Sequence, residues 1–483
     1  MKKFSVKKIA IYGVGALSGA LLTLSVQSYA NEQKEALPVQ SIRTMAEIYG
    51  QIKANYYENK SDDVILEGAM KGMVANLDPH SEYMTTKDYG DLKENTSGEF
   101  GGLGMEIGSE DGFVKVVAPI EDTPAERAGV KSGDYIVKIN NESTRNMSVT
   151  EAVKKMRGKP NTKITLTLSR KDETQPIVVH LIRAIIKVKS VRFQMLEPNF
   201  GYIRITQFQE RTVANLADAI KQLSVENKGQ LKGLVLDLRD DPGGLLNGAV
   251  GVSAAFLQPN QTVVSTKGRD NKVGMLLKAA PNDYVYSGDD PLVNLPSEIK
   301  TIPITVLINS GTASASEIVS GALQDNKRAV VVGTRSFGKG SVQTVLPLSN
   351  GGAMKLTTAL YYTPNDRSIQ AQGIVPDVEV LDKTRKFESR EADLGGHISN
   401  PFGGEEVNGE ILSADNDEAA ASAELNKANE KTDKEDIAER HKPNPAKDAQ
   451  LKKALELVKD PQAWQQSLGL AAKKPIKKKA DKE

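Results

Sequence analysis

The segment ITVLINSGTASASEIVSGALQD, residues 304–325, places one serine between two elements of regular structure. Its first five residues, 304–308, are apolar and largely β-branched, which predicts a buried strand. Residues 315–325 carry apolar side chains at helical spacing, which predicts a helix. Ser314 therefore lies at a strand-to-helix junction, where free backbone N–H groups can bind a developing oxyanion. This position is typical of a nucleophile, although a serine at a helix start often serves only as a cap.

A serine nucleophile needs a general base, and the composition restricts the choice. The chain has no cysteine and four histidines: His80 in a polar segment predicted to be helical, His180 in a strand of another domain, and His397 and His441 in polar sequence near the C-terminus. None is close to the serine segment, so a Ser-His-Asp triad would need a long-range placement. Lys339, between two glycines and flanked by apolar strands, is the remaining candidate, because burial lowers the pKa of a lysine. The pattern predicts a Ser-Lys dyad; a solvated turn is the alternative.

Two segments, GTASASEI (residues 311–318) and FGKGSVQ (residues 337–343), resemble the signature motifs of the carboxyl-terminal processing peptidases, also called tail-specific proteases. The resemblance extends over residues 39–380. It implies that Ser314 is the nucleophile, Lys339 the general base, and Gln343 the residue that orients the lysine amine. Some relatives also have an aspartate in the relay, and Asp325 has the corresponding position. A local turn residue is the alternative for Asp325.

A glycine loop belongs to the same scheme. The apolar run of residues 234–238 predicts a strand, and it leads into Pro242-Gly243-Gly244, whose backbone N–H groups are unshielded by side chains. The resemblance implies that Gly243 or Gly244 supplies one oxyanion-hole amide and Ala315 the other. An ordinary strand-to-helix turn is the alternative.

The N-terminus predicts the compartment. Residues 1–30 combine a lysine-rich start, an apolar run, and small residues before Ala30, which is typical of a cleaved secretory signal. An uncleaved membrane anchor is the alternative. The absence of cysteine excludes a lipoprotein anchor and disulfide bonds. With 63 basic and 62 acidic residues, no overall charge favours nucleic acid. We expect a periplasmic protein.

Residues 98–185 resemble a PDZ domain. FGGLGMEI, residues 100–107, is similar to a carboxylate-binding loop followed by a strand, and further motifs of the family follow in order up to a helix at residues 148–156. The resemblance implies that the backbone of Gly101, Gly102, Leu103 and Gly104 binds the terminal carboxylate of a peptide, which pairs with the adjoining strand. A PDZ fold that binds no ligand is the alternative.

The whole chain divides into six segments: a signal peptide (1–30), an N-terminal helical region (31–97), the PDZ domain (98–185), a Ser-Lys peptidase core (186–384), a polar linker (385–445), and a C-terminal helix with a basic tail (446–483). In the core, strands alternate with helices, which predicts an α/β domain with a largely parallel sheet. The resemblance implies a crotonase-like core into which the PDZ domain, a mixed β domain with helices, is inserted. The C-terminal helix is predicted as either a surface helix or an element for oligomerisation or adaptor docking.

These features predict a secreted serine endopeptidase that captures unstructured C-terminal tails of envelope proteins and cleaves them through an acyl-enzyme. Neither a metal nor an organic cofactor is implied. The expected partners are proteins or peptides with free C-terminal tails, an adaptor protein, and further copies of the chain. A resting form of low activity is expected until a tail or adaptor binds. The alternative is a PDZ scaffold or chaperone with an inactive hydrolase domain, against which Ser314, Lys339 and Gln343 argue.

Overall fold

The computed structural model describes residues 38–470, except 111, 121, 172, 383–384, 386–387, 404–405 and 410–442. The predicted signal peptide, most of the predicted linker and the basic tail lie outside the described residues. Within the described ranges, no helix is both long and apolar enough to cross a membrane.

The N-terminal region is helical, as predicted. It contains α1 (Val39–Asn55), α2 (Asp62–Ala75), β1 (Glu82–Met84) and α3 (Thr86–Ser97). The described residues form two compact units that divide between Met70 and Lys71, inside α2. In α1 no residue is buried, and the apolar residues Ile42, Met45 and Ile48, which share one stripe, are 51%, 47% and 56% exposed. This apolar stripe of α1 is therefore largely open to solvent in the single chain.

The PDZ domain is an antiparallel sheet with short helices. Its elements are β2 (Glu99–Gly102), β3 (Met105–Glu110), β4 (Phe113–Pro119), α4 (Pro124–Arg127), β5 (Tyr135–Ile139), β6 (Glu142–Ser143), α5 (Val149–Met156), β7 (Lys163–Ser169), β8 (Ile177–Ile182) and β9 (Ala184–Lys187). The main sheet has the order β3-β4-β5-β7-β8, so β3 is an edge strand. The first and last strands, β2 and β9, pair with each other. Helix α5 begins where predicted, since Ser148 Oγ accepts the Glu151 N–H.

The peptidase core is built on two sheets. Its elements are β10 (Val191–Glu197), β11 (Phe200–Ile205), α6 (Thr212–Glu226), β12 (Gly233–Asp237), α7 (Leu246–Phe256), β13 (Thr262–Lys267), β14 (Val273–Lys278), α8 (Pro281–Tyr284), β15 (Ile304–Ile308), α9 (Ala315–Asp325), β16 (Val330–Gly333), β17 (Ser341–Pro347), β18 (Ala353–Tyr362) and β19 (Val378–Glu379). One sheet has the order β10-β11-β12-β15-β16-β19 and is parallel except for β10. The prediction of a largely parallel α/β sheet is confirmed.

The second sheet carries the segment after Lys339. Its order is β1-β18-β13-β14, with β17 paired to β18 as a hairpin. The N-terminal region contributes β1 to this sheet, since Tyr83 lies opposite Met354. Residues before and after the PDZ domain therefore belong to one folded body with the core.

One prediction about the C-terminal part is wrong. Residues 388–403 are not a linker, because Glu388, Arg390 and Glu391 are buried and Arg390 Nη1 donates to the carbonyls of Arg335 and Ser336 at 3.0 and 2.9 Å. Polar composition is typical of mobile segments, but here the polar groups find partners in the interior. The remaining predicted linker, residues 410–442, lies outside the described residues.

The C-terminal helices are α10 (Ala449–Lys459) and α11 (Pro461–Leu470). Helix α10 covers the face of the parallel sheet opposite to α6, α7 and α9, and buries Leu451, Ala454, Leu455, Leu457 and Val458. These apolar side chains are therefore covered within the chain and are not available for an oligomer or adaptor contact.

Candidate functional site

Three loops meet at the carboxyl ends of β12, β15 and β16. Thr312 Oγ1 donates to the Leu238 carbonyl at 2.8 Å, and the Ala313 N–H donates to the Asp241 carbonyl at 3.0 Å. The Phe337 N–H donates to the Thr312 carbonyl at 3.0 Å. Since adjacent parallel strands end at the same edge of a sheet, the serine, glycine and lysine segments become neighbours.

Ser314 is held in an unusual backbone conformation. It is the residue before α9, with φ 55° and ψ −114°, and it is 9% exposed. A positive φ is uncommon for a residue with a Cβ and persists only where surrounding contacts hold it. Ala315 is the first helical residue, so its N–H has no acceptor within the helix. This junction therefore has the geometry expected for a nucleophile beside an oxyanion-binding amide.

Glu317 joins the serine and lysine segments, and the sequence analysis missed it. Its carboxylate is fully buried. Oε1 accepts from Ser336 Oγ at 2.5 Å and the Gly338 N–H at 2.7 Å, and Oε2 accepts from the N–H groups of Ser314 and Lys339 at 2.8 and 2.9 Å. Burial raises the pKa of Glu317 to about 7, against the effect of these donors. The Ser-x-x-Glu spacing at the helix start was the available signal.

Lys339 is partly buried in the loop between β16 and β17. Burial is the main cause that lowers its pKa, and the ammonium of Lys355 adds to it. The carboxylates of Glu391, Glu317 and Asp78 act in the opposite direction. The net direction favours a neutral amine, as the sequence analysis predicted from burial.

Gln343 lies on β17 with its amide group held. Nε2 donates to Ser341 Oγ at 2.9 Å and to Thr357 Oγ1 at 3.2 Å. This leaves Oε1 as the group that could accept from a lysine. Among the described side chains, no hydrogen bond joins Ser314 Oγ to Lys339 Nζ, or Lys339 Nζ to Gln343. In the described structure, the side chains of Ser314, Lys339 and Gln343 are therefore not joined to one another by hydrogen bonds.

The glycine loop packs directly against Ser314. Gly243 has φ 96°, and a Cβ there would lie 2.6 Å from the Ala313 carbonyl oxygen and 2.9 Å from Ser314 Cβ. Only glycine allows this approach. The Gly243 N–H donates to Asp241 Oδ1 at 2.8 Å. Of the two amides predicted for the oxyanion hole in this loop, that of Gly243 is thus already hydrogen-bonded to Asp241.

Asp241 is a second residue that the sequence analysis missed. It is fully buried, and its Oδ2 is without a hydrogen-bond partner in the described structure. Burial raises the pKa of Asp241 to about 7. No local pattern in the sequence indicated that this carboxyl group would be enclosed.

Asp325 is not brought to the site. It ends α9, whose first residue follows Ser314, so the helix separates the two residues by about 16 Å. Its carboxylate accepts from Arg367 Nη2 at 2.6 Å and from the Asn365 N–H at 3.0 Å. The predicted relay role is therefore wrong, and Asp325 holds the turn after β18.

The four predicted peptide-binding residues divide into two pairs. Gly101 and Gly102 belong to β2, and the Gly101 carbonyl accepts the Gly158 N–H at 3.1 Å. Leu103 and Gly104 form the connection to the edge strand β3, where Gly104 has φ 79°. Only the second pair lies in the loop ahead of the strand edge.

His80 lies closer to the lysine loop than the sequence analysis expected. It follows α2 in a turn rather than in a helix. Its Nε2 is 2.9 Å from both carboxylate oxygens of Glu391, whose N–H donates to the Phe337 carbonyl at 3.0 Å. Long-range folding thus connects a histidine, through Glu391, to the loop that carries the predicted base.

Three family models match parts of this chain. Residues 199–380 match the model for Peptidase family S41, residues 115–170 match a PDZ domain, and residues 12–88 match the Activating protease CtpB N-terminal domain. The photosystem II D1 C-terminal processing protease has a solved structure that is 29% identical, with a TM-score of 0.39, and the match covers 68% of this chain and 85% of that chain.

Curated relatives match over most of their length. The carboxy-terminal-processing protease of Bartonella bacilliformis is 43% identical over 400 residues, which cover 81% of this chain and 88% of that protein. The carboxy-terminal processing protease CtpA of Bacillus subtilis is 37% identical over 333 residues, covering 68% of this chain and 67% of that protein. The chain therefore belongs to the carboxy-terminal-processing protease family and is a serine-type peptidase of α/β fold with a PDZ domain.

Proposed function

We propose that this protein is a secreted, periplasmic endopeptidase that cleaves unstructured C-terminal segments of envelope proteins by a Ser-Lys mechanism. The observation that supports this most is the buried Glu317 carboxylate, which binds the backbone of both Ser314 and Lys339. The two segments that match the family motifs are thereby held together. The proposal includes a crotonase-like fold for the core.

In the first half of the reaction, neutral Lys339 takes the proton of Ser314 Oγ as that oxygen attacks the peptide carbonyl. The Ala315 N–H donates to the developing oxyanion, together with the amide of Gly244 or, once released from Asp241, that of Gly243. The lysine ammonium then gives its proton to the leaving amine. An ester of Ser314 and a free amine remain.

In the second half, Lys339 is neutral again and deprotonates a water molecule that attacks the ester. The tetrahedral intermediate collapses, the serine oxygen takes back a proton from the ammonium, and the product leaves as a carboxylic acid that loses its proton to solvent. Gln343 is assigned the orientation of the lysine amine through its Oε1. Substrate binding must first shorten the Ser314–Lys339 separation to hydrogen-bond distance.

The PDZ domain is assigned the capture of the substrate tail. The backbone of Leu103 and Gly104 binds the terminal carboxylate, and the edge strand β3 pairs with the incoming peptide. This mode recognises a free C-terminus with little demand on sequence. The exposed stripe of α1 supports a homo-oligomer, and an adaptor is a further expected partner.

The test compares the wild-type protein with Ser314→Ala on an unfolded protein substrate that has a free C-terminus. We expect fragments from wild type and none from Ser314→Ala, with unchanged binding of the tail. Ser310→Ala serves as the matched control, since Ser310 lies in the same loop but is not part of the predicted dyad. Binding without cleavage by the wild-type protein would instead support a PDZ scaffold.

A further inference from the structure

The turn of residues 78–81, between α2 and β1, is organised around a buried carboxylate. Asp78 Oδ1 accepts from the N–H groups of His80 and Ser81, both at 2.9 Å, and Oδ2 accepts from Ser81 Oγ at 2.6 Å. Asp78 is 7% exposed. These contacts within the turn supply several of the hydrogen bonds that the carboxylate accepts. The carboxylate also accepts a hydrogen bond from a residue outside the turn.

One branch of contacts leads from this turn to Gln343. Thr357 Oγ1 donates to Asp78 Oδ1 at 3.1 Å and accepts from Gln343 Nε2 at 3.2 Å. A hydroxyl group has a single proton, so once Thr357 gives it to Asp78, only lone pairs remain for Gln343. The Gln343 amide must then present its N–H side to Thr357. The acceptor-only carboxylate of Asp78 thereby sets the direction of the Gln343 amide.

A second branch leads from the same turn to the lysine loop. His80 Nε2 donates to Glu391, and Glu391 Oε1 also accepts from Gln370 Nε2 at 3.1 Å. Gln370 Oε1 in turn accepts the Gly340 N–H at 2.9 Å. Glu391 and Gln370 are fully buried, so each lost contact would leave an enclosed polar group without a partner. The residue after Lys339 is thus fixed from this side.

We propose that the turn of residues 78–81 is a positioning element of the Ser-Lys site. Asp78 orients Gln343 through Thr357, and His80 holds the lysine loop through Glu391 and Gln370. The inference rests on the proposed function, and it extends the catalytic machinery into the N-terminal region. These residues act through others and have no assigned contact with substrate.

The charges around Lys339 give this role a signature. The charged groups that act on Lys339 are Lys355, Glu391, Glu317 and Asp78, and the three carboxylates all raise its pKa. Removing one of these negative charges lowers the pKa of Lys339, so the acidic limb of the pH profile of kcat/KM moves to lower pH. A residue that only stabilises the fold leaves that limb in place.

The experiment substitutes Asp78→Asn, which keeps the shape but brings an amide donor toward Ser81 and Thr357. We expect kcat to fall about tenfold or more with little change in KM, and the acidic limb to move to lower pH. Asp88→Asn is the matched control, because Asp88 also accepts backbone and hydroxyl hydrogen bonds in this region but caps only α3. It should leave the limb unchanged.

Coupling provides the second readout. If Asp78 acts through Gln343, then Asp78→Asn should reduce kcat much less in a Gln343→Ala background than in the wild type. Full additivity, or a wild-type kcat and pH profile for Asp78→Asn, would overturn the proposal. Should Asp78→Asn fail to fold, Thr357→Val breaks the same branch at its centre, and retention of wild-type kcat in that variant would also overturn it.

The histidine branch has its own rescue test. His80→Ala should lower kcat, and His80→Gln should restore much of it, because a glutamine amide can still donate to Glu391. Equal activity of His80→Ala and wild type would overturn this branch. Failure of the proposed function is distinguishable: there the wild-type protein would not cleave, or Ser314→Ala would still cleave.

Discussion

At the scale of single residues, the decisive question is which group takes the proton of Ser314. Lys339 can do so only as a neutral amine, and burial moves its pKa in that direction. A group whose pKa is lowered loses its proton at lower pH than an ordinary lysine. Activity should therefore rise with pH through the neutral range and level off in the mildly alkaline range.

The variant Lys339→Arg tests this assignment. A guanidinium group keeps its proton at all accessible pH values, so we expect Lys339→Arg and Lys339→Ala to be equally inactive although folded. The measurement is kcat/KM against pH, with circular dichroism for the fold. Substantial cleavage by Lys339→Arg would contradict the lysine-base assignment.

Glu317→Gln tests the contact between the two catalytic segments. An amide offers one oxygen to four donors, so two of the N–H or O–H groups around it lose their acceptor. We expect kcat to fall at least about tenfold, because the relative placement of Ser314 and Lys339 loosens. A single-turnover assay at saturating substrate isolates this effect on the rate of the chemical step.

The same variant has a predictable effect on stability. Burial raises the pKa of Glu317 to about 7, from the ordinary glutamate value of 4.5. The folded state therefore binds more protons than the unfolded state between these values, and stability falls as pH rises through this window. Glu317→Gln removes this pH dependence of stability. The Tm of the variant should therefore rise relative to that of the wild type as the pH increases from 5 to 8. An unchanged difference would mean that Glu317 is ionised throughout this range.

At the scale of elements, the C-terminal helix α10 is part of the core. Leu451 is fully buried against the sheet, beside Val235 and Leu307. Leu451→Ala should lower the free energy of unfolding by about 2–5 kcal/mol, from lost burial and the cavity left behind. Lys452→Ala serves as the control, because Lys452 is the exposed neighbour of Leu451. Denaturant unfolding measures both, and an equal, small effect would show that α10 is only loosely attached.

At the scale of the whole molecule, the PDZ domain is inserted through the paired strands β2 and β9. We expect this domain to hold the site in a resting form, because its paired strands connect it directly to the core. In the described structure no hydrogen bond joins the side chains of Ser314 and Lys339. A tail that raises activity about a hundredfold must bind the active form more tightly by about 3 kcal/mol.

Removal of the PDZ domain tests this expectation. Since Gly102 lies opposite Ala184, a short turn can replace residues 103–183 and leave the β2–β9 pairing intact. Basal cleavage of an unfolded substrate should rise in this variant. A deletion variant that is folded but does not cleave would show that the PDZ domain only tethers substrate. Loss of cleavage by Gly104→Val in the full chain would point to the same conclusion.

Local sequence was sufficient for much of this protein. The strand before Ser314 and the helix after it follow from short periodic patterns, and the structure has the corresponding elements. The order of the PDZ motifs was given by resemblance to that domain family. Family resemblance supplied the roles of Ser314 and Lys339, since spacing alone left a solvated turn as an alternative. These features depend on residues that are neighbours along the chain.

Tertiary structure decided how those residues are supported. The contacts of Glu317 with the lysine loop, the burial of Glu391 within a segment predicted to be a linker, and the reach of Asp78 to Thr357 all join distant parts of the chain. The separation of Asp325 from Ser314, in contrast, follows from the length of the predicted helix between them. A polar side chain has the same local pattern whether it faces water or an enclosed partner, and only the folded chain supplies that partner.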